Sequence, residues 1–167
     1  MRFIEFLLHI GEFSVSQGEF ETALHIYERV LKESIEDKDF ESFSAYAYLS
    51  KGDLYSRQAD WENSISYISK ASELFEKQRD LKGLARSENL LGTIYGDKGD
   101  INQAQYHFEQ SLSYLDPKKD ETMIGMLEIN LGILNNIQGN YDIALSYYQR
   151  ALIKFEQIQD MRRIAEA

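Results

Sequence analysis

Along this chain apolar residues recur at i, i+3, i+4 and i+7, the spacing that gathers them on one stripe of an α-helix. One stretch carries Leu84, Leu91, Ile94 and Tyr95, and the next carries Ala104, Phe108, Ser111, Leu112 and Leu115. Gly99-Asp100 interrupts the period between them, and Gly139-Asn140 interrupts it again further on. Glycine leaves the helical region freely, and a short polar side chain after it can cap the next helix. Asp60, Asp100 and Asn140 are therefore predicted N-caps. The pattern predicts an all-α chain built from pairs of amphipathic helices.

The pairs repeat. Gly11, Gly52, Gly92 and Gly132 are separated by 41, 40 and 40 residues. Seven positions after each comes a small residue: Gly18, Ala59, Gly99 and Gly139. Five further on stands Ala23, Ser64, Ala104 or Ala144, and four beyond that Tyr27, Ile68, Phe108 or Tyr148. Asp39, Asp80, Asp120 and Asp160 recur at 41, 40 and 40 residues, placed to cap each first helix. A glycine inside a helix costs about 1 kcal/mol relative to alanine. Repeating that cost four times implies that the missing side chain lets the partner helix, with its Ala or Ser, come close. The repeats span 1–38, 39–79, 80–119 and 120–159, and 160–167 reads as the opening of a fifth first helix. Repeat arrays normally end in a polar cap, so this ragged end is expected to belong to a segment of a longer protein.

Leu91-Gly92-Thr93-Ile94-Tyr95, the run from Gly99 to Phe108, and Asn140-Tyr141 through Ala144 and Tyr148 to Ala151 resemble the tetratricopeptide repeat family over nearly the whole chain. Spacing near 40 is similar to its subclass with longer helices. The family's closing proline has a counterpart only in Pro117, and Ser14 and Lys51 stand where Tyr and Leu are usual. The resemblance implies a right-handed superhelical solenoid of antiparallel helix pairs, with four repeats and the start of a fifth. It also implies a concave face, lined by first helices, that binds a protein or peptide. Carried onto this chain, that face holds Tyr46, Leu49, Asp53, Arg57, Arg86, Asn89, Thr93, Met126, Ile129, Asn130 and Ile133, with Glu5, Leu8, Glu12, Asp97 and Ile137 beside them. The carboxylate clamp of chaperone-docking members is expected to be absent, since Leu8, Glu12, Ser50, Arg86 and Leu90 include only one matching residue, Arg86. Of the asparagine ladder of peptide-binding members, only Asn130 lies in register.

Composition removes most chemistry. With no cysteine there is no disulfide, thiolate zinc site or cysteine nucleophile. One proline against ten glycines argues against a turn-rich β design. A formal charge of −10 repels phosphate backbones, so no nucleic-acid partner is expected. His9, His25 and His107 stand alone rather than at metal-ligand spacing, and His9, in an apolar run, reads as a core histidine. Gly96-Asp97-Lys98-Gly99-Asp100 lacks both the Lys-Ser/Thr of a phosphate loop and the ligand positions of a calcium loop. No metal, cofactor or catalytic residue is expected, and the chain is read as no enzyme. No window is apolar enough to span a bilayer, and the first ten residues lack a signal-peptide pattern, so a cytoplasmic protein without a membrane partner is expected. Most aromatic residues occupy recurring core positions, leaving Tyr46, Tyr48 and Tyr147 without an assignment.

These readings point to a non-catalytic scaffold that binds a protein or peptide, as part of a larger signalling or regulatory protein. The alternatives are a peptide-sensing input domain for an effector outside this sequence and a structural self-assembly unit. In the fourth copy Ile124, Leu127, Leu131 and Leu134 form the stripe expected to pack on its own second helix. Met123, Met126, Ile129, Ile133 and Ile137 point elsewhere, predicting a homodimer through the C-terminal end.

Overall fold

The computed structural model describes residues 2–36 and 41–166. They form eight helices: α1 (Arg2–Ser16), α2 (Phe20–Glu36), α3 (Glu41–Arg57), α4 (Trp61–Gln78), α5 (Leu81–Asp97), α6 (Ile101–Ser113), α7 (Glu121–Ile137) and α8 (Tyr141–Glu166). Contacts divide the chain into two compact units, Met1–Ser87 and Glu88–Ala167, with the boundary inside α5. The fold is all-α and built from antiparallel pairs, α1 with α2 and α3 with α4 in the first unit, α7 with α8 in the second.

Three-residue turns join the helices of a pair, and one backbone device makes them. Gly99 takes φ +80°, its N–H donates to Gly96 O at 2.9 Å, and the Asp100 N–H donates to Tyr95 O at 2.9 Å. This double bond satisfies the last free carbonyls of the helix and reverses the chain. The same pair of bonds recurs at Gly18, Ala59 and Gly139, and Ala59 holds a left-handed φ of 57° without glycine's freedom. Asp60 and Asp100 then cap the second helices, accepting from Asn63 N at 3.2 Å and Gln103 N at 3.1 Å. Asn140 departs from this expectation: its side-chain amide donates to Asn135 Oδ1 at 3.5 Å and Gln138 Oε1 at 3.3 Å.

The first-helix caps divide further. Asp80 accepts from Gly83 N at 2.9 Å and caps α5. Asp120 sits at the N-cap of α7, but its carboxylate accepts from Asp116 N at 3.0 Å in the preceding Pro117-containing turn. Asp39 lies outside the described residues. Asp160 is no cap, because α8 runs unbroken to Glu166 where a fifth first helix was expected to open. The stretch 152–166 contains no glycine or proline to stop it.

Within each pair the recurring glycine meets the side chain sixteen positions later. A Cβ on Gly92 would lie 2.6 Å from the Phe108 ring, and one on Gly132 would lie 2.5 Å from Tyr148. Gly11 abuts Tyr27 in the same way, and a Cβ on Gly52 would lie 2.7 Å from Ile68 Cγ1. The ring thus fills the space, a sharper cause than the approach of Ala or Ser alone. A Cβ on Gly125 would lie 2.9 Å from Phe155, so contacts further back on α7 pair with residues further forward on α8, which fixes the pair as antiparallel. Ile124, Leu127, Leu131 and Leu134 are buried as their stripe requires. In the first unit Ile4, Leu7, Val15, Ala23, Tyr27, Val30, Ala47 and Leu54 form one core.

Two glycines of one pair therefore separate two causes. Gly92→Leu should destabilise by about 1–3 kcal/mol, because the new side chain must displace Phe108. Gly99→Ala meets nothing within 4 Å, so its loss should reflect backbone strain alone, about 1 kcal/mol. Ala59→Gly should leave stability unchanged or slightly raised. Urea denaturation of the three variants checks the ranking, and a Gly92→Leu protein as stable as the parent contradicts the ring-for-glycine packing.

Candidate functional site

In the first unit Tyr46, Asp53 and Arg57 share one face of α3. The Tyr46 hydroxyl donates to the Asp80 carboxylate, its ring meets Phe75 edge-on at 4.9 Å, and the Arg86 guanidinium lies 5.9 Å from the ring centroid. Asp80 thus caps α5 with one oxygen and receives Tyr46 with the other, locking α3 to the start of α5. Burial, and then the bond to the Asp80 carboxylate, push the Tyr46 phenol up to about 12. Burial raises Tyr27 to about 12 as well. Arg57 donates to Asp53 at 2.9 Å, and both Arg57 and Arg86 are exposed. Leu49 is buried in the interior, so it offers no surface for a ligand.

The second unit gathers the other predicted residues around a cavity. α5 supplies Thr93 and Asp97 and α7 supplies Asn130, Ile133 and Ile137 around an open space of about 220 Å³. Phe108 and Leu134 form its floor, while Gly92 and Gly96 leave the α5 wall low. Asn130 Nδ2 donates to Asn89 Oδ1 at 3.3 Å, tying the two walls together. The Thr93 hydroxyl donates back to Asn89 O at 3.1 Å. Ile133 and Ile137 stay exposed, giving one wall an apolar stripe opposite a polar rim. Met126 is exposed and Ile129 half-buried on the same helix, outside this lining. Of the remaining face residues, Glu5 and Glu12 are exposed on α1 and Leu8 is buried.

The opposite face of α3 holds what the sequence reading left unassigned. Tyr48 and Tyr55 each stack on Tyr67, at 6.1 and 5.4 Å, with Lys51 and Lys70 over the Tyr67 ring at 4.7 and 5.0 Å. Lys51 is buried and reaches Glu28 at 3.4 Å. Forty residues on, Glu88 takes the place of Tyr48 and His107 that of Tyr67, and they bond at 2.7 Å with His107 stacked on Tyr95. Another forty on, Glu128 pairs with Arg150 at 3.1 Å, and Arg150 lies 4.4 Å from the Tyr147 ring. The repeat register carried this signal, but the chemistry changes at each copy. His9 is exposed, 3.4 Å from Glu12, because the apolar face of α1 turns away from it; the core assignment is corrected. Among the described residues no three His, Asp or Glu side chains are grouped to hold a metal, and no helix is long and apolar enough to cross a membrane.

Family models described as tetratricopeptide repeat match residues 43–116 and 129–158, together more than half of the chain. Transcriptional activator NprA of Geobacillus stearothermophilus is 25% identical over 86% of this chain and 36% of its own length. Protein KINESIN LIGHT CHAIN-RELATED 2 of Arabidopsis thaliana is 23% identical over 87% of this chain and 23% of its own length. The chain therefore spans well under half of these curated relatives. Among solved structures, aspartyl phosphate phosphatase F from Bacillus subtilis superimposes with a TM-score of 0.77 at 22% identity, over 95% of this chain and 42% of that one. BtubC (BKLC) from P. vanneervenii gives 0.75 at 21% identity, over 93% of this chain and 64% of that one.

A phenol whose pKa is raised by folding adds stability that is complete below its unfolded value and is lost as pH rises through its folded value. Tyr27 and Tyr46 should therefore make the protein progressively less stable between pH 10 and about 12. Tyr46→Phe should lower stability by about 1.5 kcal/mol near neutral pH and flatten the alkaline decline. Thermal melts across that range test this, and an unchanged alkaline slope in Tyr46→Phe contradicts it.

Proposed function

The chain belongs to the tetratricopeptide repeat family, and on that premise we propose that it is a non-catalytic scaffold holding an extended peptide of a partner protein in the α5–α7 groove. The observation that carries this reading is the cavity of about 220 Å³ with an apolar α7 wall and a polar rim. Pockets for drug-sized ligands run from about 300 to 1,000 Å³, so a single apolar side chain suits this space better than a free metabolite. Such a side chain seats against Ile133, Leu134 and Ile137. Asn130 keeps a side-chain oxygen to accept a peptide N–H, and Asp97 favours a basic residue next to the anchor. Tyr46, Asp53, Arg57 and Arg86 form a second contact region with both charges, and Asn89 acts by holding Asn130. The setting in this reading is the cytoplasm.

A second reading, a peptide-sensing input domain for an effector outside this sequence, is supported by NprA, a transcriptional activator by name, of which this chain matches 36%. Selection from a displayed random-peptide library tests the groove. Selected peptides should share an apolar anchor with a basic neighbour. Ile133→Glu should weaken them at least tenfold, while Gln103→Glu on the exposed face of α6 leaves them unchanged. Equal losses from Ile133→Glu and Gln103→Glu contradict the groove.

A further inference from the structure

Gly96 is the one glycine of this chain that neither its backbone nor its neighbours require. Gly18, Gly99 and Gly139 hold φ at 79°, 80° and 80°, where a side chain is strained. At Gly11, Gly52, Gly83, Gly92, Gly125 and Gly132 an added Cβ would come within 3.0 Å of a packed side chain. Gly96 has no positive φ, and a Cβ there would meet only Ala104 Cβ, at the ordinary contact distance of 3.8 Å. The other copies agree. Four positions after the recurring glycine they carry Val15, Ser56 and Asn136. The carbonyls of these residues accept the same turn bond as Gly96 O, from the N–H of Gly18, Ala59 and Gly139 at 3.0, 2.9 and 3.1 Å. The left-handed turn therefore forms with valine, serine or asparagine in that place. A helical glycine is destabilising relative to alanine, so at position 96 the chain bears a loss that its folding does not recover.

What the missing side chain leaves is space. Gly96 lines the cavity of about 220 Å³ between α5 and α7, beside Phe108 and Leu134 on its floor. A dry apolar cavity of about 150 Å³ holds a benzene ring, so this one has room for a phenyl ring and its methylene. Phe108 gives such a ring an aromatic partner, which it can meet edge-on or offset. On the α7 wall, Ile133 and Ile137 take the repeat positions of Thr93 and Asp97. Those two stay exposed on α5 although α7 follows them, so the openness of this face belongs to the repeat position.

We propose that Gly96 is a specificity-determining residue: its missing side chain admits an aromatic anchor, a phenylalanine of the partner peptide, into the α5–α7 groove. This role rests on the groove holding a peptide, as inferred above, and it names the class of side chain that the groove selects. A methyl group at position 96 takes room from the ring. A valine there, the residue the first copy carries, closes the place to rings and leaves it open to small anchors. Gly92 cannot serve in this way, because Phe108 already fills the space where its Cβ would stand.

The test takes a peptide from the random-peptide selection, remakes it with Phe, Leu, Val or Ala at its anchor, and titrates each form into the protein by calorimetry. The wild type should select phenylalanine anchors and bind the Phe peptide roughly tenfold or more tighter than the Val peptide. Gly96→Val should weaken the Phe peptide by roughly tenfold or more and leave the Val peptide little changed. Gly96→Ala should fall between them. It should also melt about 1–4 °C above the wild type, because at an unstrained φ alanine restricts only the unfolded chain. A Gly96→Ala protein that melts lower makes the glycine structural and overturns the proposal. So do selected anchors without aromatic rings, or a Gly96→Val protein that loses every anchor equally or none. Should the Val variant lose helicity, the Ala variant carries the same comparison. Ile133→Glu separates the two readings. If it leaves the selected peptides bound, they sit elsewhere and the groove falls together with the role of Gly96. If it releases them while the Gly96 variants keep the wild-type anchor preference, only the role of Gly96 falls.

Discussion

Everything in this protein depends on a side chain occupying the place where a helix has none. Phe108 lies against Gly92, Tyr148 against Gly132 and Tyr27 against Gly11, while Ile68 does the same at Gly52. A glycine in mid-helix forfeits about 1 kcal/mol of helix propensity. Burying a large ring against the bared backbone more than offsets that, since full burial of such a side chain stabilises by about 1.5–3 kcal/mol. The contact fixes the rotation of the two helices about their axes and their separation. The left-handed turn seven residues after the glycine sets where the second helix begins.

The groove is a consequence of that interlock. Gly92, which admits Phe108 on one side, belongs with Phe108 to the lining of the cavity. With Gly96 one turn later, it keeps the α5 wall low, so that Ile133 and Ile137 of α7 remain reachable. Thr93 and Asp97 stand one position beyond these glycines and carry the polar rim. The glycines that pack against Phe108 and the polar rim of the cavity thus occupy adjacent positions on one helix.

On the far side of the first helices the polar contacts vary from copy to copy. Lys51 is buried against Glu28 and Tyr67, and the Glu128 side chain is 9% exposed beside an Arg150 that is 50% exposed. A buried charge contributes little net stability while paired, but it is costly once its partner is removed. These pairs therefore hold each helix in register more than they add to stability. The two-headed role of Asp80, cap to α5 and acceptor for Tyr46, works in the same way.

Periodicity determined the helices and their pairing, and Gly99-Asp100 and Gly139-Asn140 marked turns between them, because helix formation and turn geometry depend on residues within a few positions of one another. The same register located the buried stripe of α7, and the family resemblance placed Thr93, Asn130 and Ile133 on one face. Tertiary structure decided what local spacing cannot express. Leu49 turned inward and His9 outward, since rotation of a helix about its axis is set by what packs against it. Asp160 lies inside the long helix α8, with no glycine or proline between 152 and 166 to interrupt it. Tyr46 and Tyr48 found partners 34 and 19 residues away, in Asp80 and Tyr67. Such contacts depend on which faces meet in space, and the sequence records only that those residues exist.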